Sequence, residues 1–348
     1  MPDHRKKHDR PIPRLGGTTF MFNILLVSSF LIFMRVALGL GNEMFIRMIF
    51  PEWMLFLCGM CLIYLVGIKD DLIGVGFNKK FFIQFVASLC IVGSGVYLTN
   101  LHGLFGVHEI SAFIGIPLSI LIIIFLTNAI NLIDGADGLA SGLSAIAFFV
   151  YGMLFSLFGL WTYAGIAFII MGILTVFFYY NFIHPSRKIF MGDTGSLTLG
   201  YILSFMMLSL ARVSSGEVVT TLSGWIIKTQ VIVPTGFILL LVAALFIPPA
   251  DAFRVMVGRM LTKQHPFSPD RSHIHHKLLE LGLSRRQTVF TLIVSGIVIF
   301  CLNLILLYLI DCNLVLFIDV VVWLGSTYLV YWLIGKKGTA HSKTTPAE

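Results

Sequence analysis

The feature that most constrains this chain is a long interval without charge: between Gly138 and His184 there is no Asp, Glu, Lys or Arg. Such an interval is long enough for two helical crossings of a bilayer at about 20 residues each. The 348 residues are 57% hydrophobic and only 12% charged, whereas soluble domains carry roughly 25% charged residues. These features exclude a soluble globular domain and predict an all-α, polytopic integral membrane protein.

Hydrophobic runs predict about ten transmembrane helices, near 18–38, 53–68, 81–99, 113–131, 139–158, 160–181, 196–213, 230–249, 289–310 and 314–334. Threaded alternately, these spans place all but four of the 24 Lys and Arg residues on one side. The exceptions are Arg35, Arg47, Arg212 and Lys228. By the positive-inside rule the richer side is cytoplasmic.

This topology predicts a cytoplasmic N-terminal segment at 1–17 and a single transmembrane domain at 18–335. The domain includes a cytoplasmic loop at 250–288, and residues 336–348 are predicted to be a disordered cytoplasmic tail. The net charge of +7 does not indicate nucleic acid, because basic residues beside membrane helices set orientation and attract anionic headgroups. The expected partner is the lipid bilayer. The five cysteines are interpreted as packed thiols.

Four acid-bearing motifs all fall on the predicted cytoplasmic face. The first, KDDLIG at 69–74, places Asp70 and Asp71 where a span leaves the bilayer, with Lys80 and Gln84 at the start of the next helix. One carboxylate could bind a divalent cation while its neighbour accepts a proton or orients a nucleophile. An acidic turn that merely ends the helix is an equally good interpretation of this motif alone.

The second motif, NAINLIDGADGLA at 128–140, is more specific. Asn128, Asn131 and Asp134 are spaced three apart, so a helix would align them on one face. Asp137 follows in a glycine-rich turn that lets a ligand approach the backbone. Helix capping is the alternative.

The third motif, NFIHPSRKIFMGDTGS at 181–196, places Asp193 at a predicted helix N-terminus, where exposed amide groups favour phosphate or carboxylate. Asp193 could hold a metal ion there, or could simply cap the helix.

The fourth motif lies at 265–288. It crowds His273, His275 and His276 together with Arg271, which suits neutralisation of a diphosphate. A zinc site is the rival interpretation. Asp251, Arg254 and Arg259 either line the same face or form a solvated helix side. Short helices are predicted at 251–261 and 273–282, the second ended by Gly282.

One further acid, Asp319, lies inside the last predicted span. An intramembrane acid is nominally a functional candidate, but local solvation near the outer end is the favoured interpretation.

These motifs resemble a known family in content and order. RKKHDRPIPRLGG at 5–17 is followed by DD, KFFIQ at 80–84, NxxNxxDGxDGLA, NFxxP, FMGDTGS and SRRQ, over about four-fifths of the chain. The chain is similar to the polyprenyl-phosphate N-acetylhexosamine-1-phosphate transferases (glycosyltransferase family 4), and most of all to the bacterial undecaprenyl-phosphate GlcNAc-1-phosphate transferases.

The resemblance implies transfer of a sugar phosphate from a UDP-N-acetylhexosamine to undecaprenyl phosphate, with Mg²⁺ (or Mn²⁺) and release of UMP. It places the enzyme in the bacterial cytoplasmic membrane, with its active site on the cytoplasmic face. The string DRSHIHH at 270–276 favours UDP-GlcNAc. Another UDP-hexosamine, or the phospho-MurNAc-pentapeptide donor of the related branch, is the alternative.

Roles for individual residues follow from the same resemblance. Asp193 and Asn131 would hold the metal ion. Asp70 and Asp71 would face the polyprenyl phosphate, one of them acting as a base, and His276 is also assigned to catalysis. The expected substrate-binding residues are Lys80, Asn128, Asp134, Asp137, Asn181, Arg271, His273 and His275.

Two departures accompany the resemblance. The family has an additional helix before the RKKH stretch, giving eleven spans, and some relatives carry another acid shortly after DD, where this chain has Gly74. A homodimer through lipid-facing helices is compatible with the sequence. A transporter and an inactive membrane scaffold are the two other classes of protein considered.

Overall fold

The computed structural model describes residues 16–40, 50–184, 188–213, 234–263 and 272–342. These parts of the chain are helical throughout, joined by short turns and one small antiparallel bridge. The helices are α1 (Thr18–Ala37), α2 (Phe50–Ile73), α3 (Phe77–Gly93), α4 (Ala112–Ile133), α5 (Leu139–Leu157), α6 (Trp161–Phe178), α7 (Gly192–Val213), α8 (Phe237–Ala243), α9 (Ile247–Leu261), α10 (Ile274–Glu280), α11 (Arg285–Leu309) and α12 (Cys312–Ser342).

The number of spans agrees with the prediction of about ten. In the described ranges eight helices are long and apolar enough to cross a membrane, and α8 with α9 could form a ninth, bent span. Helix α3 is 17 residues long, the lower limit for a crossing. The all-α, multi-pass membrane architecture is therefore confirmed. The predicted segment 1–17 lies outside the described residues except for its last two glycines.

Helix α7 forms the centre of the bundle, and its apolar window is completely buried. It packs closely on α2 and α4 because glycines lie at both crossings. A Cβ atom on Gly67 of α2 would come within 2.5 Å of the Thr194 Cα atom, and a Cβ on Gly200 would come equally near the Thr127 Cα atom. The α2 contact lies beside the end of α2, so it brings the DD motif against the start of α7.

The predicted span 230–249 is wrong as a single straight helix in its described part. Helix α8 ends at Ala243, and α9 begins at Ile247, at an angle of 88° to α8. The reason is Pro248 and Pro249 in the first turn of α9. Proline cannot donate to the preceding turn, so it starts a helix readily and interrupts one. Residues 230–233 lie outside the described ranges.

The two short helices predicted in the 250–288 loop are confirmed as α9 and α10. Helix α10 ends before Gly282, whose φ of +103° is the left-handed conformation that favours glycine at a helix end. The interpretation of Asp319 as locally solvated is wrong. Its carboxylate accepts from Asn303 Nδ2 at 3.0 Å, which links α12 to α11.

Candidate active site

Three charged side chains from three helices meet at one end of the bundle. Lys80 Nζ lies 2.5 Å from Asp70 Oδ2 and 2.7 Å from Asp193 Oδ2. Asp70 comes from the last turn of α2, Lys80 from the first turn of α3 and Asp193 from the first turn of α7. One ammonium group thus lies between two carboxylates that would otherwise repel each other.

The adjacent Asp71 caps helix α7. Its Oδ1 atom accepts from the Asp193 backbone N–H at 2.9 Å, and its Oδ2 atom accepts from Thr194 N at 2.9 Å and Thr194 Oγ1 at 2.6 Å. A carboxylate is stabilising at this position because the first N–H groups of a helix have no partner within it. The two acids of the DD motif therefore do different things: Asp70 contacts Lys80, and Asp71 fixes the segment that carries Asp193.

The turn after DD explains the missing acid. Gly74 has φ +76°, and its N–H donates to the Asp70 carbonyl at 3.0 Å. A non-glycine residue is strained in this left-handed conformation. The turn also lets Val75 N–H donate to Asp70 Oδ1 at 2.6 Å.

The polar face predicted on α4 is observed. Asn131 Nδ2 donates to Asp193 Oδ1 at 3.0 Å and to Ser196 Oγ at 2.9 Å. One turn earlier, Asn128 and Gln84 exchange side-chain hydrogen bonds at 2.7 and 3.3 Å. Asn131 thus orients the Asp193 carboxylate, whereas Asn128 joins α4 to α3 beside the cluster.

Asp134 ends α4 next to this group. Burial raises its pKa well above the usual range, and the nearby charges of Asp193, Asp137 and Asp71 raise it further. The neutral carboxylic acid is therefore favoured at this position in the free protein.

A cavity of about 600 Å³ opens beside the cluster, between the α4–α5 turn, the end of α6, α10 and the start of α11. Asn181 is buried in its wall and holds two backbone segments: its Oδ1 atom accepts from Gly138 N at 2.5 Å, and its Nδ2 atom donates to Ile189 O at 2.7 Å. Lys188 Nζ lies 2.6 Å from Asp137 Oδ2 and 5.1 Å from the centre of the Phe190 ring.

His273 anchors helix α10 to α9. Its Nδ1 atom lies 2.8 Å from Asp251 Oδ2, while Asp251 Oδ1 accepts from Ile274 N at 3.1 Å. Arg254 Nη2 donates to the same Asp251 oxygen and to Ser272 O, both at 2.7 Å. Asp251 is only 1% exposed, so this side of α9 is a buried support for the histidine segment and not a solvated face.

His275 lines the cavity in a different state. The residue is 2% exposed, and neither ring nitrogen has a hydrogen-bond partner among the described residues. Burial, followed by the neighbouring His276 and His273, lowers its pKa to about 3. The ring is therefore neutral at pH 7. A buried polar group without a partner is costly, which indicates that a ligand supplies the missing hydrogen bond.

Several cavity residues were not predicted from the sequence, namely His184, Lys188, Arg285 and Arg286. Arg285 lies 4.0 Å from Asp137 Oδ2. The only signal in the sequence was the positive charge flanking two motifs. The predicted Arg271 lies outside the described residues.

The oxygen atoms of this site fit a hard divalent cation. Two carboxylate oxygens, from Asp70 and Asp193, already converge on one positive charge. Within the described ranges there is no group of three or more His, Cys, Asp or Glu arranged to hold a metal ion. Mg²⁺ is typically bound through one or two carboxylates together with water and substrate phosphates, so a pair of carboxylates is an adequate protein contribution.

Comparison with known proteins agrees with this geometry. Residues 53–211, which carry Asp70, Lys80, Asn131 and Asp193, match the model of glycosyl transferase family 4.

Three relatives extend the match over most of the chain. A probable undecaprenyl-phosphate N-acetylglucosaminyl 1-phosphate transferase of Bacillus subtilis is 33% identical over 85% of this chain and 74% of its own length. An undecaprenyl-phosphate α-N-acetylglucosaminyl 1-phosphate transferase of Yersinia pestis is 29% identical, over 82% and 70%. A decaprenyl-phosphate N-acetylglucosaminephosphotransferase of Mycobacterium tuberculosis is 32% identical, over 86% and 73%. This chain belongs to glycosyl transferase family 4.

Proposed function

We propose that this protein transfers GlcNAc-1-phosphate from UDP-GlcNAc to undecaprenyl phosphate, forming undecaprenyl-diphosphate-GlcNAc and UMP. The observation that carries the proposal is the pairing of Lys80 with Asp70 and Asp193 beside a cavity lined by basic residues. Both substrates bring phosphate groups, and catalysis of phosphoryl transfer consists mainly of positioning and charge neutralisation. The names of the relatives support the choice of sugar and lipid.

The nucleotide belongs in the cavity. Asp137 and Asn181 offer polar groups to a base or ribose, and Lys188 and Arg285 offer positive charge to the phosphates. His275 is neutral, so it would donate a hydrogen bond and not a full charge. His276 also lines the cavity, and its assignment to catalysis, like that of Arg271 to the diphosphate, stays a prediction.

We propose Mg²⁺ as the cofactor, held by Asp193 with Asn131 and Asp70 around it. The ion would neutralise the diphosphate and the charge that develops on the departing UMP. Mn²⁺ offers the same preference for oxygen ligands. Asn131 Nδ2 points at Asp193 in the free protein, so its first contribution is to orient that carboxylate.

A one-step transfer fits the hydrogen bonding of the DD motif. Asp70 uses one oxygen for Val75 N–H and the other for Lys80, and Asp71 uses both oxygens to cap α7. Neither carboxylate is poised as a covalent nucleophile. An oxygen of undecaprenyl phosphate would bond to the β-phosphorus while the bond from that phosphorus to the bridging oxygen breaks, and UMP departs with the electron pair.

This acceptor needs little help from a base. The second pKa of a phosphate monoester is about 6, so most of it is dianionic at neutral pH. If Asp70 or Asp71 instead formed a covalent intermediate, the enzyme would exchange labelled UMP into UDP-GlcNAc without lipid. The one-step reaction predicts no such exchange.

The lipid acceptor and the water-soluble donor can meet only at a membrane surface. The distribution of Lys and Arg supports the cytoplasmic face of the bacterial cytoplasmic membrane. Labelling of a cysteine introduced at His276 in intact cells and in inverted vesicles tests the side. A homodimer stays a prediction, testable by mass measurement in detergent.

Purified protein, undecaprenyl phosphate, Mg²⁺ and a panel of UDP-sugars test the function. UMP release should require both lipid and metal, with UDP-GlcNAc preferred, and mass spectrometry should identify the lipid product. Sugar flux across liposomes without UMP release would support a transporter instead. Failure of every donor, including other UDP-N-acetylhexosamines and the phospho-MurNAc-pentapeptide donor, would favour an inactive scaffold.

A further inference from the structure

A groove of about 580 Å³ lies between the inner halves of α2 and α3, on the lipid-facing side of the bundle. Its walls are mostly apolar and follow helical spacing, with Leu62, Leu65 and Val66 on α2 facing Phe82 and Ile83 on α3. Leu65 and Phe82 are 62% and 64% exposed, so the groove opens sideways to the hydrocarbon of the bilayer. Its volume is typical of a binding site for a small molecule.

One end of this α2–α3 groove is positively charged, because Lys69 and Lys79 both line it. In the part of the chain that the structure describes, neither lysine is within ion-pair distance of a carboxylate. The acids next to Lys69 do not compensate it: Asp70 is paired with Lys80, and Asp71 caps α7. The groove therefore presents two unpaired ammonium groups beneath an apolar channel.

A single residue separates this charged end from the candidate active site. Val75 lines the groove, and its backbone N–H donates to Asp70 Oδ1 at 2.6 Å. The other oxygen of Asp70 contacts Lys80. Lys69 and Lys79 are likewise the chain neighbours of Asp70 and Lys80. An anionic group at this end of the groove would thus lie beside the residues that we assign to phosphoryl transfer.

We propose that the α2–α3 groove is the entry site for the lipid acceptor. The phosphate of undecaprenyl phosphate binds between Lys69 and Lys79, and its first isoprene units lie along Leu65 and Phe82. The inference rests on the proposed function, because it supplies the lipid substrate of that reaction. It adds the route by which this lipid reaches Asp70.

The two parts of the groove should contribute differently. An isoprene chain that moves from lipid into an apolar groove gains little hydrophobic energy, because lipid tails are equally apolar. The lysines should therefore carry most of the affinity, while the apolar walls set the shape of chain that fits. Charge removal and steric filling consequently test separate parts of the site.

The kinetic test compares charge variants. Lys69→Gln and Lys79→Gln should each raise the KM for undecaprenyl phosphate about fivefold and leave the KM for UDP-GlcNAc within about twofold. Arginine at either position should restore the acceptor KM. Lys263→Gln, at an exposed lysine outside the groove, is the matched control. An active enzyme whose acceptor KM is unchanged in both glutamine variants would overturn the proposal.

Filling the groove provides the second kinetic test. Leu65→Trp should raise the acceptor KM, whereas Leu324→Trp, on the lipid-facing surface of α12 at 53% exposure, should not. Equal effects of the two tryptophans would indicate general damage by a bulky residue and would contradict a specific groove.

A photoreactive polyprenyl phosphate with a diazirine in its first isoprene unit tests occupancy without turnover. The label should appear between residues 62 and 83, and undecaprenyl phosphate should displace it while excess phosphatidylglycerol does not. Labelling elsewhere, or equal displacement by phosphatidylglycerol, would overturn the proposal. If the protein binds the probe in the groove but transfers no sugar phosphate to any acceptor, the proposed function fails and the lipid site stands.

Discussion

The Lys80 ammonium lies 2.7 Å from a carboxylate oxygen of Asp193, although the two residues are 113 positions apart in the chain. This ion pair joins the start of α3 to the start of α7. Because Lys80 also contacts Asp70, one side chain holds together the DD and FMGDTG motifs. The predictions below follow from this cluster and its supports.

Replacement of Lys80 tests the cluster itself. Lys80→Gln should lower kcat/KM at least about 100-fold, because the diphosphate loses a cation and the carboxylates of Asp70 and Asp193 repel each other. UMP release measures the effect. Lys263→Gln removes one positive charge elsewhere and should retain activity. Near-normal activity of Lys80→Gln would show that the ammonium is not needed for charge neutralisation.

Replacement of Asp71 separates capping from proton transfer. Asp71→Asn loses the charge and one acceptor oxygen, so α7 should be destabilised by about 1–2 kcal/mol. Asp193 should then be displaced, with a fall in both thermal stability and kcat. The melting temperature and UMP release are measured on the same preparation. Lost activity with an unchanged melting temperature would instead favour Asp71 as the base.

The neutral state of His275 predicts a dependence of stability on pH. Its pKa is about 3 in the folded protein and about 6.5 when unfolded. The unfolded chain therefore binds more protons between these values, and stability falls as the pH falls through that window. The free energy of unfolding should decrease by about 2 kcal/mol from pH 7 to pH 5 through this group.

The control for this prediction is His275→Gln, which cannot titrate. Melting temperatures of the two proteins should diverge between pH 7 and pH 5, with the wild type losing more. Parallel curves would contradict a buried neutral His275.

A second ion pair, between Glu52 and Arg212, lies at the opposite end of α2 and α7. The two side chains are 2.7 Å apart, and Tyr163 OH donates to Glu52 at 2.5 Å. Glu52 is buried, so Arg212→Met should cost about 3 kcal/mol by leaving the carboxylate unpaired. In a double-mutant cycle, Glu52→Gln should recover part of that loss, and the KM values should not change. Additive effects would show that the pair is not coupled.

Much of the site could be predicted because ionisable residues are scarce in this chain. With so few charges in the spans, residues such as Asp70, Asn131 and Asp193 had to face the interior or one end of the bundle. Spacing along one helix also placed Asn128 and Asn131 on the same face. The contacts between helices were not predictable. No local pattern indicates that Asp71 caps α7, or that Asp251 anchors His273.

The fold was missed where neighbours override hydrophobicity. The run at 230–249 is apolar throughout, yet two prolines redirect it into α9. Asp319 has no partner nearby in sequence, but α11 brings Asn303 against it. The α2–α3 groove depends on how two helices pack, so the sequence showed only its lysines.

The most direct measurement compares two acids of this chain in one assay. UMP release from UDP-GlcNAc is followed with purified Asp193→Asn and Asp319→Asn, each with undecaprenyl phosphate and Mg²⁺. Asp193→Asn should lose at least about 1000-fold in kcat, and Asp319→Asn, whose partner Asn303 is outside the cluster, should stay near wild type. Substantial turnover by folded Asp193→Asn would contradict the assignment of this cluster as the reaction centre.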